Sequence, residues 1–563
     1  GGECVRVFVL SVRMENESVI RHIYGPSQFD ELMFRDFDLL LAYANKYKVR
    51  LIVPLINIWQ SMGSNFDFDR WCGGDGTAYS FYHNPHTREK YKELLHYLFN
   101  RVNVYTGVRY KDDRAIAIWE LGNELNHPLI EAPVEPDASC NYETRIGQTG
   151  GSMADEWAMD ISAFIKKEAP NHLTMNGAQY DPTPAVLHDP NMDIIVLHYC
   201  WPLGFGSVPC SKTKITLEEF LEAKKAFIYG EFDPAHEINE GFLKECRENP
   251  LISGALAWSL RGHDKRGGYL CHNDFGYPSL RWPGFDNGMP DERERLLSIR
   301  ETSYRMRGEE PPAILPPDPP TLLPIATPHA ISFRGAVGAD HYRIERAETP
   351  NGPWTLVDGE VQDCQYPFYE PFDDKGAAMD RDIYYRVTAI GLGGESAPGN
   401  VMPFIAAHPL IADMEEEIIG DLFVDECNGL EKLYQIENPE HICVAKSGSY
   451  HQYSFNSFVF SGPVAMTYRS AIDMQDCFVH IGWQGEGWRA LTLEVSRDGE
   501  HFVPAAASLR DYGECDGRHF GRLEAFPLPA GIRFLKIRVQ PALELETLEV
   551  SRVEYTGGLV YED

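Results

Sequence analysis

Between Val5 and Arg307 the chain alternates short apolar runs with amphipathic stretches, and seven of the runs read as strands. They are Val5–Ser11, Arg50–Leu55, the run from Ile116 (IAIWELGNEL), Leu173–Asn176, Asp193–His198, Ala226–Gly230 and Gly254–Trp258. Helical spacing of apolar residues predicts helices over Phe34–Tyr47, Glu89–Arg101, Asp155–Ala169, Thr216–Lys225, Glu237–Asn249 and Asp291–Arg307. Runs this short and apolar throughout suit strands buried on both faces. Strands alternating with helices build parallel βαβ units. Eight such units close a (β/α)8 TIM barrel; the count is one short, and the first run begins almost at the first residue. The expectation is a barrel whose first strand is missing from this chain. A doubly wound open sheet is the alternative, but no glycine-rich phosphate loop supports it.

Barrels of this kind keep their chemistry at the carboxyl ends of the strands. The run from Ile116 ends in Asn123-Glu124, and Ala226–Asp233 (AFIYGEFD) carries Glu231, 107 positions later. Two carboxylates at two strand ends are the minimum equipment for cutting a glycosidic bond with retention, one as acid and then base, the other as nucleophile. Glu124 suits the first role and Glu231 the second. Asn123 is placed to hydrogen-bond a sugar 2-hydroxyl, and Arg6 to hold the nucleophile ionised. Glu120 shares a strand face with Glu124 but sits deeper, so it reads as a buried partner for an arginine, Arg6. Taken singly, Glu124 is a surface glutamate, His198 a satisfied core histidine and Trp258 plain core. At strand ends of one barrel they read as site residues, Trp258 as a surface for a sugar ring. Trp59, Trp71, Trp201 and Trp282 are further candidate platforms. Asp67 and Asp69 lack a calcium loop and read as a solvated turn. His263, Asp264, His272 and Asp274 share one loop and read as polar contacts to sugar before they read as a metal site.

The formal net charge is −33, from 51 basic and 84 acidic residues, which disfavours a nucleic-acid partner and leaves a neutral glycan unpenalised. No apolar run approaches the ~20 residues of a membrane helix. The twelve cysteines form no C-x-x-C pair, so no metal site and no cofactor are expected, and the redox compartment stays open.

After Arg307 the texture changes. Pro311–Pro328 is a proline-rich linker or extended first strand. From Ala330 to about Ile405 short alternating strands follow at sandwich spacing, with Trp354 and Tyr385 as expected core aromatics. This stretch resembles a fibronectin type III module. Leu410–Tyr555 is a second all-β region, similar to the jelly-roll sandwiches of carbohydrate-binding and galactose-binding-like modules; Trp483 and Trp488 are either a sugar-binding face or buried aromatics there. The expected division is 1–309, 310–408 and 409–563.

The segment RVNVYTGVRYKDDRAIAIWELGNEL resembles the fourth-strand region of glycoside hydrolase family 5 β-mannanases. So do LIVPLINIWQSMGS with the later RW, FYHNPHTREKYKELL, NHLTMNG and IYGEFD, in order and spacing from Val5 to Arg307. The resemblance implies a retaining (β/α)8 glycosidase with Glu124 as acid/base and Glu231 as nucleophile. It implies Arg6, Asn123, His198, Tyr199 and Trp258 around the substrate ring, and Asn57 and Trp59 on the third-strand loop. The chain departs from the family at His198-Tyr199-Cys200-Trp201, where His-x-Tyr is usual. A strict strand would turn Tyr199 away from His198. The loops Pro128–Gly151 and Gly262–Gly288 are long and unfamiliar. The expected function is double displacement on β-1,4-mannan or manno-oligosaccharides, as a mannan endo-1,4-β-mannosidase. Exo action, another β-linked glucan or galactoside, and a non-catalytic glycan-binding protein are the alternatives. The expected partner is a polysaccharide or oligosaccharide, with no nucleic acid and no membrane insertion, and the accessory sandwiches favour a secreted or cell-surface enzyme.

Overall fold

The computed structural model describes residues 4–14, 21–59, 62–125, 152–179, 182–198, 215–232, 240–263, 273–274, 277–278, 280–285, 291–323, 325, 328–329, 331–362, 372–406, 422–425, 427, 429–430, 432–450, 453–470, 473–515, 518–540 and 548–557. The chain divides into two compact units. The first is Gly1–Glu15, Ile20–Ser259 and Leu297–Pro311; the second is Asn16–Val19, Leu260–Leu296 and Pro312–Asp563.

The first unit runs β1 (Cys4–Arg6), β2 (Ile23–Gly25), β3 (Gln28–Phe29), α1 (Glu31–Tyr47), β4 (Arg50–Pro54), α2 (Asn65–Trp71), α3 (Ala78–His83), α4 (Pro85–Asn100), β5 (Ile116–Glu120), α5 (Ser152–Glu168), β6 (Leu173–Met175), α6 (Pro184–Leu187), β7 (Ile194–His198), α7 (Leu217–Ala223), β8 (Ala226–Phe232), α8 (Glu240–Glu248) and β9 (Ile252–Ala257). A last helix, α9, spans Glu292–Met306. Seven strands form one all-parallel sheet in the order β1-β4-β5-β6-β7-β8-β9. Sequential order without crossing is what right-handed βαβ units produce. Local signals set several helix starts. Ser64 and Asp67 make a reciprocal capping box on α2, Thr216 and Glu219 do the same on α7, and Asn84 caps α4 ahead of Pro85.

Side chains alternate along these strands and sort into two cores. Ile52, Ile118, Met175, Ile194, Val196 and Ile228 form an inner plug. Leu51, Val53, Trp119, Ile195, Leu197, Phe227 and Tyr229 join the larger cluster with Phe37, Leu41, Leu94 and Ile161 of the helices. Continuing each inner column by two residues gives Arg6 above Cys4, Glu120 above Ile118 and His198 above Val196. The polar layer therefore rests directly on the plug.

Strand β8 departs from that period. Leu197 pairs with Tyr229, but His198 pairs with Glu231, and on the other side Tyr229 pairs with Ala255 and Phe232 with Ala257. One residue is extra at Gly230, a bulge. Without it Glu231 would share the outward face of Tyr229; with it Glu231 turns inward beside His198.

Trp71, one of the candidate platforms, is the last residue of α2. Its indole N–H donates to the Arg13 carbonyl at 2.7 Å. Asp67 caps α2, and the buried Asp69 accepts from Thr87 Oγ1 and Gly76 N, so both carboxylates of the expected solvated turn are committed inside the fold.

In the second unit, Ala339–Ala347, Thr355–Gln362, Ile383–Gly391, Gly394–Glu395 and Met402–Phe404 form a five-stranded antiparallel sheet. Thr321–Leu322 pairs with Phe333–Arg334. Tyr385 is buried in this core as expected. Trp354 is not; it is partly exposed, with the Arg386 guanidinium 4.5 Å from its ring centroid. Further on, a seven-stranded sheet (Ile442–Tyr450, Tyr453–Phe460, Glu549–Gly557, Met474–Trp483, Arg518–Ala525 and Ser508–Cys515, with Leu422–Asp425 at Glu549–Gly557) accompanies a five-stranded one (Gln435–Glu437, Val464–Arg469, Phe534–Val539, Leu491–Ser496 and Val503–Pro504). Val479, Ile481, Leu535, Ile537, Val553 and Tyr555 share one core. Trp483 is buried in that core and Trp488 packs against its margin, which takes Trp483 away from a sugar-binding face.

Among the described residues no helix is long and apolar enough to cross a membrane. Cys4, Cys72, Cys246, Cys427, Cys443 and Cys477 are free thiols.

Candidate active site

The Arg6 guanidinium is the hub. It is almost fully buried and donates in three directions. Nε and Nη2 donate to the two oxygens of Glu120, Nη1 to Glu231 Oε1 and Nη2 also to Asn123 Oδ1, each at 2.6 Å. Burial alone would lower the Arg6 pKa. The charge and hydrogen bonds of Glu120, then the charges of Glu231 and Glu124, outweigh it and push the value above the ordinary arginine range. The Arg6 Cζ lies 5.0 Å from the Phe8 ring centroid, and Phe8 meets Trp258 edge to face at 5.8 Å. Trp258 follows β9, and its N–H donates to the Phe232 carbonyl.

Glu124 is off the strand, which ends at Glu120. Its φ of 57° is left-handed, a region a glutamate adopts only when the surroundings dictate it. The surroundings are explicit. Asn123 N donates to the Ile56 carbonyl, Ile58 N to the Asn123 carbonyl and Glu124 N to the Gly177 carbonyl. The same turn aims the carboxylate. Trp59 Nε1 donates to Glu124 Oε2 at 2.6 Å, and His198 Nδ1 lies 2.7 Å from Oε1. His198 Nδ1 donates when Glu124 is ionised and accepts when Glu124 carries the proton. Asn57 Oδ1 accepts from Asn123 Nδ2 at 3.0 Å and from Trp59 N at 3.1 Å, fixing the carboxamide plane of Asn123.

Two glycines leave the space this requires. A Cβ on Gly177, at φ +66°, would fall 1.8 Å from the Gly122 carbonyl oxygen and 2.7 Å from Glu120 Oε1. A Cβ on Gly230 would fall 2.3 Å from Val196 Cγ2 and 2.6 Å from His198 Nε2. A glycine inside a strand, directly before Glu231, was the available signal for the bulge.

Glu124, His198 and Glu231 each offer a ligand atom within 4.8 Å of the others, all three residues being buried. That spacing would also suit a metal ion. However, Arg6 already holds a fixed positive charge on Glu231, and Trp59 and His198 take up the oxygens of Glu124. The donor set is that of a charged, hydrogen-bonded carboxylate pair.

The structure thus brings together Arg6, Asn57, Trp59, Asn123, Glu124, His198 and Glu231, with Trp258 joined through Phe8. Tyr199 and Trp201 lie outside the described residues, as do Asp264 and His272. His263, Asp274 and Trp282 belong to the second unit, where Trp282 lies beside Gly338.

Residues 5–245 match a family model described as GH family 5 beta-mannosidase-like. The chain is 31% identical over 233 residues to a putative mannan endo-1,4-beta-mannosidase 4 of Arabidopsis thaliana, covering 38% of this chain and 53% of that protein. It is 29% identical over 160 residues to mannan endo-1,4-beta-mannosidase 5 of the same plant, covering 28% and 33%. The chain therefore spans about half or less of the length of these curated relatives. Among solved structures, an endo-1,4-beta-D-mannanase from Thermotoga petrophila overlaps 53% of this chain and 90% of its own, at 22% identity and a TM-score of 0.37. An Fn3-like protein from Clostridium thermocellum overlaps 16% and 92%, at 20% identity and a TM-score of 0.13. With scores of that size, the fold rests on the strand order itself.

Proposed function

We propose that the chain is a retaining β-glycoside hydrolase acting on β-1,4-mannan or manno-oligosaccharides, as a mannan endo-1,4-β-mannosidase. The observation that carries this is the placement of two buried glutamate oxygens, from Glu124 and Glu231, within 4.8 Å of each other at strand ends of one parallel sheet. Retaining enzymes hold their carboxyl groups about 5–5.5 Å apart, and inverting enzymes about 6.5–9.5 Å. The family match over residues 5–245 and the printed names of the relatives support the mannan substrate.

Glu231, ionised against Arg6, attacks the anomeric carbon. The bond to the leaving oxygen breaks as Glu124 passes its proton to that oxygen. The result is a glycosyl ester on Glu231 and a free chain end. Water then attacks the same carbon, gives a proton to Glu124 and releases Glu231 as carboxylate. Asn123 Nδ2 has a second N–H for the sugar 2-hydroxyl, and Trp258 offers its indole face to the ring. The regions 310–408 and 409–563 serve as spacer and glycan- or cell-surface-contacting modules of an exported or surface-bound enzyme.

The test is product release from β-1,4-mannan, glucomannan, cellulose and β-galactan, with Glu231→Ala as control. Mannan cleavage reduced about 10⁴-fold or more in the control supports the reading, a loss of the size seen when a nucleophile is deleted. Product lengths separate endo from exo action. Cleavage confined to another glycan keeps the mechanism and overturns the substrate. Binding without turnover in the unaltered protein overturns the enzyme in favour of a glycan-binding protein.

A further inference from the structure

We infer that Glu120 is a positioning residue for the reaction: it fixes the plane of the Arg6 guanidinium, and through Arg6 it aims and electrostatically balances Glu231 and Asn123. The inference rests on the reading of Glu231 as nucleophile. Glu120 is fully buried, and both its oxygens are taken by Arg6. A two-point contact from Nε and Nη2 fixes a planar guanidinium in position and in tilt. Once that edge is fixed, the remaining N–H directions of the plane are fixed too, one from Nη1 running to Glu231 and the second of Nη2 to Asn123. Gly177 leaves the space that Glu120 occupies: a Cβ there would fall 2.7 Å from Glu120 Oε1.

The charges point the same way. The groups facing this centre are Arg6 from β1, Glu120 and Glu124 from β5 and its following turn, His198 from β7 and Glu231 from β8. With His198 neutral and Glu124 carrying the proton it donates, their formal sum is +1 − 2 = −1, and it becomes −2 once that proton has left. Among the three carboxylates, Glu120 interacts most strongly with Arg6. It therefore shares a cation that would otherwise bind Glu231 alone, and it keeps the nucleophile from being over-stabilised as an anion.

The discriminating variants are Glu120→Gln and Glu120→Asp in the complete protein, with the pH profile of kcat/KM and the separate kcat and KM values as readouts. Glu120→Gln keeps shape and removes charge. Fewer negative charges favour ionisation of the remaining carboxylates, so both limbs of the profile should move to lower pH, by about one unit. Glu120→Asp keeps the charge but is a methylene shorter. Its limbs should stay in place while kcat falls about tenfold and KM changes little, since misaimed groups fail chiefly in the transition state. A folded Glu120→Gln with wild-type kcat and limbs overturns the inference. If Glu120→Gln does not fold, Glu120→Asp decides: wild-type kcat overturns the proposal, lowered kcat with fixed limbs supports it. Failure of both to fold makes Glu120 a structural residue and also overturns it. Absence of turnover in the unaltered protein instead removes the underlying assignment of Glu231, an outcome visible before any variant is made.

Discussion

At the top of the parallel sheet one buried arginine faces three carboxylates: Arg6 bonds Glu120 and Glu231 directly and feels the charge of Glu124. On the seven-stranded sheet of the second unit a different balance holds. There His480 lies across from Arg522 on one neighbouring strand and Arg552 on the other. Arg552 pairs with Glu554, Arg522 with Glu524 at 2.7 Å, and His480 Nε2 lies 3.2 Å from Glu554 Oε2. The Arg522 guanidinium also covers the Phe478 ring at 4.8 Å. In this second cluster Arg552 and Arg522 meet Glu554 and Glu524 on neighbouring positions, and Arg510 joins them at Glu524, 3.0 Å away, so cations are at least as many as anions. In the first, acids outnumber the cation and two of them point to strand ends. Buried charge by itself does not mark a site; uncompensated charge held by convergent donors does.

The comparison breaks most easily at Arg6. Arg6→Met leaves Glu120 buried without its partner, the kind of change that costs about 3–5 kcal/mol. It also releases Glu231 and Asn123 together. Turnover should fall to the level of Glu231→Ala, and thermal unfolding should show the stability loss in the same sample. Retained turnover would mean that the carboxylates hold their places without the hub.

The matching change in the second cluster should cost stability alone. Burial raises the pKa of Glu554, but Arg552, His480 and Arg522 outweigh it and push the value down to about 2. A depressed folded-state value stabilises the fold above the unfolded carboxylate pKa of about 4.3, and that contribution is lost as pH falls through about 2. Its size, about 3 kcal/mol, follows from the shift. Glu554→Gln should therefore lower the unfolding midpoint near neutrality, with the gap to wild type closing between about pH 4 and pH 2. kcat should be unchanged. Loss of kcat with an intact fold would erase the distinction between the clusters.

Much of the first unit was legible in its residues because strand period and burial act together. Ile52, Ile118, Val196 and Ile228 declare the inner face, and two steps on the same face lead to Arg6, Glu120 and His198. The pairing of Arg6 with Glu120 followed from that count. Glu231 did not follow, because the period places it outward with Tyr229, and only the bulge at Gly230 returns it. Nor did the left-handed turn at Glu124, which is imposed by bonds to Ile56 and Gly177, residues distant in sequence. Trp354 misled for another reason. An aromatic ring fits a core, a cation or a cap equally well, and its spacing does not say which. Trp354 carries Arg386 and Trp71 donates to Arg13.

The bulge offers the finest test. Gly230→Ala puts a methyl group against the Val196 and His198 side chains, so one of them has to move. His198 is the partner of Glu124 at 2.7 Å, so displacing it disturbs that carboxyl group, while displacing Val196 disturbs the apolar plug. The expected destabilisation is about 1–3 kcal/mol, typical of overpacking. The expected fall in kcat is about tenfold, near the loss of one charge-assisted hydrogen bond. Gly254→Ala on the adjoining β9 supplies the control. Its Cβ would meet Ile228 at 3.7 Å, an ordinary contact, so both quantities should stay near wild type. Equal behaviour of the two variants would show that the extra residue in β8 merely accommodates the sheet. A selective loss at Gly230 would show that the glycine is there so that His198 and Glu231 can face the same cleft.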